Sequence, residues 1–387
     1  MMHFPPTVQR LSFRRKAALR EQRHSRIFSG PVQAGLSGVV YSSVLGLLVF
    51  AQLWLAVPAR AQVPPALPPL VTPEAQAAID RGLEYLARTQ SREGAWREQG
   101  YMGSYPVAMT ALAGLALLCN GNTMTQGKYA PNVSRAANFL LGCSGPTGLI
   151  SRIEEEGRSM HGHGFAMLFL GELYGMEDDA ERQAKIKRAL YGAVTLTSRS
   201  QSRKGGWLYT PDAQDDEGSV TVTQLQGLRS ARNAGIAVPK QTIDKALKYL
   251  DLSALPDGGI AYKADRQGGS RPPITAAAVV CWYNAGDHEN PLCRKALQYI
   301  KDRIGRGDSR GGNWGHYFYA HLYMAQAMWL SGEENWRWYY PAMRDKLIAT
   351  QAADGSWDGD QVGKVYGTAI ATIILQMPYN ATPIMQR

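Results

Sequence analysis

An acidic run, Asp-Ala-Gln-Asp-Asp-Glu at residues 212–217, carries the densest chemistry in this sequence. Neighbouring carboxyl groups shift one another's pKa, so Asp212, Asp215 and Asp216 are candidates for acid catalysis or for holding a cation. The alternative interpretation is an acidic cap on a helix that begins near Ser219, where the helix dipole stabilises negative charge. The sequence leaves both interpretations open.

Two histidines, His161 and His163, stand two residues apart at the start of an apolar segment. Such a pair can share a metal ion, or one ring can act as an acid or a base. No third or fourth ligand is apparent, so we predict neither a metal centre nor a cofactor. Capping or packing of a helix is the simpler interpretation of both rings.

Further candidates lie just before or at the start of apolar segments, and we predict that they bind a ligand: Tyr105, Arg271, His316, Tyr317, Tyr319 and Tyr366. Aromatic faces stabilise carbocations and also line pockets for lipids or sugars. Plain core packing at helical spacing is the alternative. The sequence contains no phosphate-binding Gly-Lys-Ser/Thr loop and no Gly-x-Ser-x-Gly motif. It therefore lacks the signatures of P-loop nucleotide-binding enzymes and of α/β-hydrolases.

The elements that must position these residues form a repeat. A Gln-x-x-x-Gly-x-Trp pattern begins at Gln90, Gln201 and Gln351. Weaker copies of it lie at 145–149, 257–262 and 311–314. Copies recur at roughly 45–55 residues, a spacing typical of repeat architectures. An amphipathic helix precedes each copy and a nearly all-apolar helix follows it.

Six such alternations predict six helical hairpins. The apolar helices bury themselves if they close into an inner ring with the amphipathic helices outside, and an open solenoid would use the same parts. We favour the closed form because neither end repeat shows a polar capping face. The prediction is therefore an all-α fold, an (α/α)6 toroid over residues 73–380, whose inner helices all begin at one rim. The candidate site residues precede or open these helices and should converge there.

The first repeat, Arg-Gly-Leu-Glu-Tyr-Leu-Ala-Arg-Thr-Gln at 81–90 followed by Gly-Ala-Trp at 94–96, resembles the QW repeat of squalene–hopene and oxidosqualene cyclases. Residues 257–262 resemble the Gly-Gly-Phe loops of protein prenyltransferase β subunits. The chain is most similar to secreted bacterial prenyltransferase and squalene oxidase repeat proteins, in the terpenoid cyclase and protein prenyltransferase α/α toroid superfamily.

This resemblance implies that the Gln and Trp of each repeat are structural, with the Gln capping the amides of a neighbouring helix. It also implies a central cavity for an apolar, isoprenoid-like ligand. Squalene cyclases protonate an alkene with the middle Asp of an Asp-x-Asp-Asp-Thr motif, which points to Asp215 or Asp216 as the acid. Here Ala213 replaces the first Asp and Glu217 replaces the Thr, and the Asp-x-Cys zinc ligands of prenyltransferases are absent.

The amino-terminal segment reads as an export signal. The net charge of +10 comes largely from basic residues in the first thirty positions, and without them and Arg60 about 34 basic residues face 31 acidic ones. This balance gives no support for nucleic-acid binding. An apolar run at 39–57 precedes Ala-Arg-Ala at 59–61, which predicts cleavage after Ala61 or, alternatively, a retained membrane anchor. Both place the body outside the cytoplasm, in the periplasm or the extracellular space.

Residues 62–72 form a proline-rich linker and 381–387 a carboxy-terminal tail. Our leading hypothesis is a toroid that handles an isoprenoid-like small molecule by acid-catalysed chemistry, as a transferase or isomerase, with the membrane surface as a second partner. One alternative is a non-catalytic module that binds an extracytoplasmic protein or glycan. A polysaccharide-active toroid would need a pair of carboxylates across the mouth. A Cys281–Cys293 disulfide is left open.

Overall fold

A computed structural model describes residues 66–98, 103–266, 268–305 and 316–386. The predicted signal or anchor segment and the repeat copy at 311–314 lie outside these ranges. Within them the chain forms twelve α-helices and no extended strand: α1 (Pro73–Thr89), α2 (Pro106–Cys119), α3 (Ala130–Gly142), α4 (Ser159–Tyr174), α5 (Ala180–Arg199), α6 (Gly218–Asn233), α7 (Lys240–Ser253), α8 (Pro272–Ala285), α9 (Pro291–Arg303), α10 (Tyr317–Leu330), α11 (Glu333–Thr350) and α12 (Lys364–Gln376). None of the described helices is both long and apolar enough to cross a bilayer.

The even-numbered helices form the inner ring and the odd-numbered helices surround it. Every residue of α2 is buried, whereas α1 buries only one face, as their apolar and amphipathic sequences predict. Each inner helix contacts the next one in order, and α12 contacts α2, so the ring is closed. The predicted toroid of six hairpins is confirmed.

A glycine fixes each described turn between an outer and an inner helix. Gly205 has a φ of 103°, a conformation that side chains rarely adopt. A Cβ there would lie 2.2 Å from the carbonyl oxygen of Lys245, in the outer helix of the next repeat. Four equivalent glycines meet a backbone carbonyl of the next outer helix in the same way: Gly94, Gly148, Gly258 and Gly355. The glycine is therefore required by the close approach of successive repeats.

The repeated glutamine and tryptophan connect the same parts. Gln201 Nε2 donates to Gly205 O at 2.8 Å and to Thr242 O, in the next outer helix, at 2.9 Å. Trp207 Nε1 donates to Thr197 O at 2.7 Å. The Gln side chain was expected to cap free helix amides. This prediction is wrong, because the Gln201 side chain donates to backbone carbonyls instead. Both residues are structural, as the resemblance implies.

The carboxy-terminal segment packs against the end of the barrel where the inner helices terminate. Ile384 is buried, and its amide donates to Glu172 Oε2 at 3.1 Å. Trp329 Nε1 donates to Met385 O at 2.7 Å. Residues 381–386, expected as a tail, are thus tied to the inner helices α4 and α10. All four cysteines are buried and free, so Cys281 and Cys293 form no disulfide.

Candidate active site at the amino-terminal rim

The inner helices all begin at one rim, and the loops that lead into them supply its side chains. The loop before α4 carries Glu156 and Arg158, and the first turn of α4 carries His161. The loops before α6 and α8 add Tyr209 and Tyr262. Because successive inner helices are neighbours in the ring, residues about 50 positions apart in sequence meet here.

A chain of aromatic and cationic groups crosses the rim. The Arg158 guanidinium lies 4.3 Å from the centre of the Tyr209 ring, and Tyr209 stacks on His161 at 5.9 Å between ring centres. The hydroxyl groups of Tyr209 and Tyr262 are hydrogen-bonded to each other. Arg271 lies over the Tyr262 ring at 5.9 Å. Two of the predicted residues, His161 and Arg271, therefore belong to one continuous cluster.

His161 is a neutral ring within this cluster. Its side chain is 27% exposed, and partial burial together with the positive charge of Arg158 lowers its pKa to about 4. His161 Nε2 lies 3.0 Å from Ser219 Oγ, and Ser219 Oγ donates to Glu217 Oε1 at 2.7 Å. The serine proton is thus directed at the carboxylate, so His161 donates to Ser219 and does not activate it as a nucleophile.

Glu217 is the cap of α6. Its side chain accepts from Ser219 N at 2.7 Å and from Val220 N at 2.6 Å, which satisfies two free amides at the helix start. Burial raises the pKa of Glu217. The predicted acidic cap at this helix is therefore present, one residue beyond the aspartates of the acidic run.

Glu156 is a buried acid in the loop before α4. It is 3% exposed, and its burial raises its pKa to about 7. Oε1 accepts from Ser151 Oγ and from Arg152 N, both at 2.9 Å. Oε2 forms no close hydrogen bond and lies beside Gly162, where a Cβ would come within 3.3 Å of it. The Val107 amide at the start of α2 also acts on this carboxyl and lowers its pKa, against the larger effect of burial. Near neutral pH this carboxyl group can hold or release a proton.

Burial raises the pKa of the Tyr105 hydroxyl, on which the charges of Arg158 and Glu156 also act. Its backbone has a φ of 36°, in the left-handed region. A tyrosine in that region is strained, and such strain clusters at functional sites. The predicted rim residue Tyr105 therefore lies within electrostatic range of Glu156.

Aromatic side chains from α10 and α12 cover the other part of the rim. Tyr319 donates from its hydroxyl to Ser219 O at 3.3 Å and packs edge-on against Tyr323, with ring centres 4.9 Å apart. Burial raises the pKa of the Tyr319 and Tyr366 hydroxyl groups, and the neighbouring Tyr323 adds to both shifts. These rings give the rim an apolar wall.

Carboxylates cap several inner helices at this rim. Asp360 Oδ2 accepts from Phe318 N at 3.0 Å at the start of α10, and Glu98 accepts from Val365 N at the start of α12. His316 lies near Asp360, and its charge lowers the pKa of that carboxyl against the larger effect of burial, which raises it. Four of the six inner helices, counting Glu156 beside α2 and Glu217 on α6, begin next to an acid.

The three predicted aspartates lie apart from this cluster. Asp212 is exposed. Asp215 pairs with Lys263, whose hydrogen bond lowers the Asp215 pKa. Asp216 is buried, and its Oδ2 accepts from Ser202 Oγ at 2.6 Å in the turn after α5. The acidic run therefore divides into an exposed group, an ion pair and a scaffold contact.

His163 and Tyr317 also point away from the rim. His163 Nδ1 accepts from Ile150 N at 3.1 Å, and its Nε2 lies 3.0 Å from Thr197 Oγ1. In the next repeat, the equivalent hydrogen bond runs from Trp207 N to Thr221 Oγ1. His163 therefore stands where that repeat has a threonine. The Tyr317 hydroxyl donates to Met343 Sδ, in the outer helix α11, at 3.6 Å. Both residues hold the scaffold.

Sequence reasoning missed Glu156, Arg158, Tyr209 and Tyr262. Their sequence positions could have indicated them, because all four stand in loops between a glycine turn and an inner helix, where the sequence predicts rim residues. Among the described residues, no three His, Cys, Asp or Glu side chains gather as metal ligands.

Comparison with protein-family models gives no match, and neither does comparison with curated protein sequences. Solved structures do match. The type II terpene cyclase MstE from Scytonema is similar over 80% of this chain and 99% of its own, at 14% identity and a TM-score of 0.55. The GH76A alpha-1,6-mannanase of Salegentibacter sp. HEL1_6 is similar over 79% and 99%, at 9% identity and a TM-score of 0.57. A protein from Actinoplanes is similar over 79% and 99%, at 16% identity and a TM-score of 0.54. At such identities the likeness shows the α/α toroid fold.

Proposed function

We propose that this protein is an extracytoplasmic toroid enzyme whose rim binds an isoprenoid-like ligand and whose Glu156 donates a proton to an oxygen of that ligand. The observation that carries the proposal is the buried Glu156 carboxyl, whose pKa is near 7 and whose second oxygen forms no close hydrogen bond. General acids work best when their pKa lies near the working pH. The export signal read from the sequence supports the location.

The acidity of Glu156 selects the reaction type. An alkene is a very weak base, and its protonation needs an acid strengthened by its neighbours. Burial shifts Glu156 in the opposite direction, so it suits protonation of a departing oxygen. In an isoprenoid this step assists cleavage of an allylic carbon–oxygen bond, and the electron pair of that bond leaves on the protonated oxygen. The allylic cation that remains takes up water, which then loses a proton to the solvent. The faces of Tyr319 and Tyr323 would stabilise the allylic cation.

The shape of the rim favours a ligand with a polar head and an apolar chain. Arg158 and Arg271 are exposed cations at one side, suited to an acidic or oxygen-rich head. Tyr319 and Tyr366 supply an apolar wall at the other. A variant of the cyclase MstE was solved with geranylgeranyl dihydroxybenzoate, a substrate of this kind. Since Glu156 is 3% exposed, the segments that bury it must shift when the ligand binds.

Glycan hydrolysis is a second candidate, supported by one observation. His161 lies between two buried acids: its Nε2 is 4.0 Å from Glu217 Oε1, and the adjacent Gly162 borders Glu156 Oε2. A pair of carboxyl groups is what glycoside hydrolysis needs. Glu217 accepts two close hydrogen bonds from the amides that begin α6, however, so it is poorly placed to act as the second acid. The isoprenoid proposal therefore stands first.

The test offers the purified protein geranylgeranyl diphosphate, geranylgeranyl dihydroxybenzoate, squalene and alpha-1,6-mannotriose, with products followed by mass spectrometry. We expect conversion of a substrate with an allylic carbon–oxygen bond, and a loss of about 100-fold or more in Glu156→Gln. Glu155→Gln and Asp215→Asn are matched controls that keep the activity. Full conversion by Glu156→Gln contradicts the proposal. Tight retention of a ligand without conversion supports the non-catalytic binding module instead.

A further inference from the structure

One outer face of the barrel carries positive charge that the surrounding sequence does not balance. Between Glu181 and Asp212 the chain has seven Lys and Arg residues and no Asp or Glu. This segment is α5 with the turn that follows it. The first two cations, Arg182 and Lys185, are paired with acids. The others are exposed, and none of them forms an ion pair with a described residue: Lys187, Arg188, Arg199, Arg203 and Lys204.

The neighbouring outer helix extends this positive charge. A Cβ on Gly205 would lie 3.3 Å from Lys245 Cβ, so the turn after α5 rests on α7. Lys245 and Lys248 are exposed, and no acid among the described residues pairs with them. We call these two lysines and the five unpaired cations of the α5 segment the basic face.

The carboxylates beside the basic face are already paired. Asp244 pairs with Lys240 in the first turn of α7. Asp215 pairs with Lys263, which lowers the Asp215 pKa, and the Lys204 charge adds to that shift. The basic face therefore keeps an excess of positive charge.

The other repeats show that the fold does not require these cations. Lys204 directly precedes the positive-φ glycine of its turn. All five described turns pack this glycine against the next outer helix in the same way. In the other four turns the residue before the glycine is acidic or neutral: Glu93, Thr147, Asp257 and Asp354. The concentration of positive charge on this face therefore has no role in the scaffold.

Two exposed apolar side chains stand among the cations. Tyr191 is 43% exposed and Leu252 is 41% exposed, and they are two of the four large hydrophobic side chains exposed in the described part of the chain. Tyr191 follows Arg188 by three residues and Leu252 follows Lys248 by four, so each lies on the same helix face as its cation. Cations beside an aromatic ring and an aliphatic side chain are typical of surfaces that lie on a membrane.

We propose that the basic face binds the surface of an anionic phospholipid bilayer, with the cations at the lipid phosphates and with Tyr191 and Leu252 among the headgroups. Clusters of about four to eight Lys and Arg residues bind such surfaces, and each cation adds to the affinity. A soluble polyanion would use the cations but leave both apolar side chains in water. A second copy of the same face would be repelled by its like charge. The proposal does not depend on the chemistry of Glu156.

The test is the acetylation rate of single lysines in the full-length protein, measured by mass spectrometry with phosphatidylglycerol vesicles present. A local measurement is needed because residues 1–61 are themselves basic and apolar and would contribute to total vesicle binding. We expect labelling of Lys204, Lys245 and Lys248 to slow about threefold or more. Lys364, exposed at the start of α12 on the opposite side of the ring, should keep its rate. Phosphatidylcholine vesicles should give no protection, and about 0.5 M salt should remove it.

Charge reversal provides matched variants. Arg203→Glu combined with Lys204→Glu should abolish the protection of the two α7 lysines. Arg92→Glu, at the equivalent turn position of the first repeat, likewise leaves two acids before the glycine and should keep the protection. The footprint of the wild type needs no substitution, so it tests the proposal even if a variant does not fold.

Three results overturn the proposal: unchanged labelling of the basic face on phosphatidylglycerol vesicles, equal slowing at the control lysine, and protection that survives in the doubly reversed protein. Protection by heparin without protection by vesicles also overturns it, because that result assigns the basic face to a soluble polyanion.

Discussion

Replacement of Glu156 by glutamine should change how stability depends on pH. In the folded protein burial raises the pKa of this carboxyl from 4.5 to about 7. A raised carboxyl pKa means that the native state holds its proton more tightly than the unfolded chain does, so stability falls as pH rises from about 4.5 to 7. A shift of this size corresponds to about 3 kcal/mol of unfolding free energy. Glutamine cannot ionise and removes this loss.

The measurement is urea unfolding of the wild type and of Glu156→Gln at pH 5 and pH 8. The stability of the variant relative to the wild type should rise by about 3 kcal/mol across the full titration and by somewhat less over this interval. Residues such as His161, whose pKa is lowered, titrate in both proteins, so their contributions largely cancel in the difference.

The adjacent acid provides a control of opposite sign. The Glu155 carboxyl pairs with Arg97, which lowers its pKa. Its contribution to stability is therefore present above pH 4.5 and is lost as pH falls below that value. Glu155→Gln should be less stable than the wild type at pH 8, and the gap should close in acid. A pH-independent difference for Glu156→Gln would refute the assignment of this carboxyl as a proton donor near neutrality.

Three further predictions concern the scaffold. Gly205→Ala should lose about 2 kcal/mol more unfolding free energy than Gly121→Ala, because both have positive φ but only Gly205 meets a backbone carbonyl; equal losses in urea unfolding would argue against the inter-repeat contact. Trp207→Phe should cost about 1–3 kcal/mol in the same assay, since it leaves a buried carbonyl without its donor, and an unchanged midpoint would count against this bond. Removal of residues 381–387 should make the buried Cys119, which contacts Met385, react faster with a thiol reagent; an unchanged labelling rate would show that the segment does not cover it.

The fold was readable from the sequence because it depends on local patterns. Apolar periodicity identified six inner and six outer helices, and the glycine turns set their order. The all-round apolar character of helices such as α2 predicted their burial, and ring closure followed from the lack of a polar capping face on either end repeat. These signals lie within each repeat, so no knowledge of distant contacts was needed.

The candidate site was harder to predict because its chemistry depends on contacts between repeats. Asp215 is an acid by residue type, but Lys263, 48 residues later, pairs with it. His163 looks like half of a histidine pair, yet it occupies the position of the turn-binding threonine in other repeats. Glu156 stands in an ordinary polar loop, and only its burial against α2 and α4 makes it unusual. Partner and burial are properties of the assembled ring.

The closure of the ring also has a consequence for the order of folding. Gln351 Nε2 donates to Ala78 O at 2.9 Å across 273 positions of sequence, and α1 packs against α11 and α12. Each hairpin can meet its neighbour as synthesis proceeds, but this last junction must wait for the final repeat. Contacts so distant in sequence slow folding. A circular permutant opened between two other repeats would keep the same contacts and move the late step to the new junction, so the folding rate would report where the ring is joined.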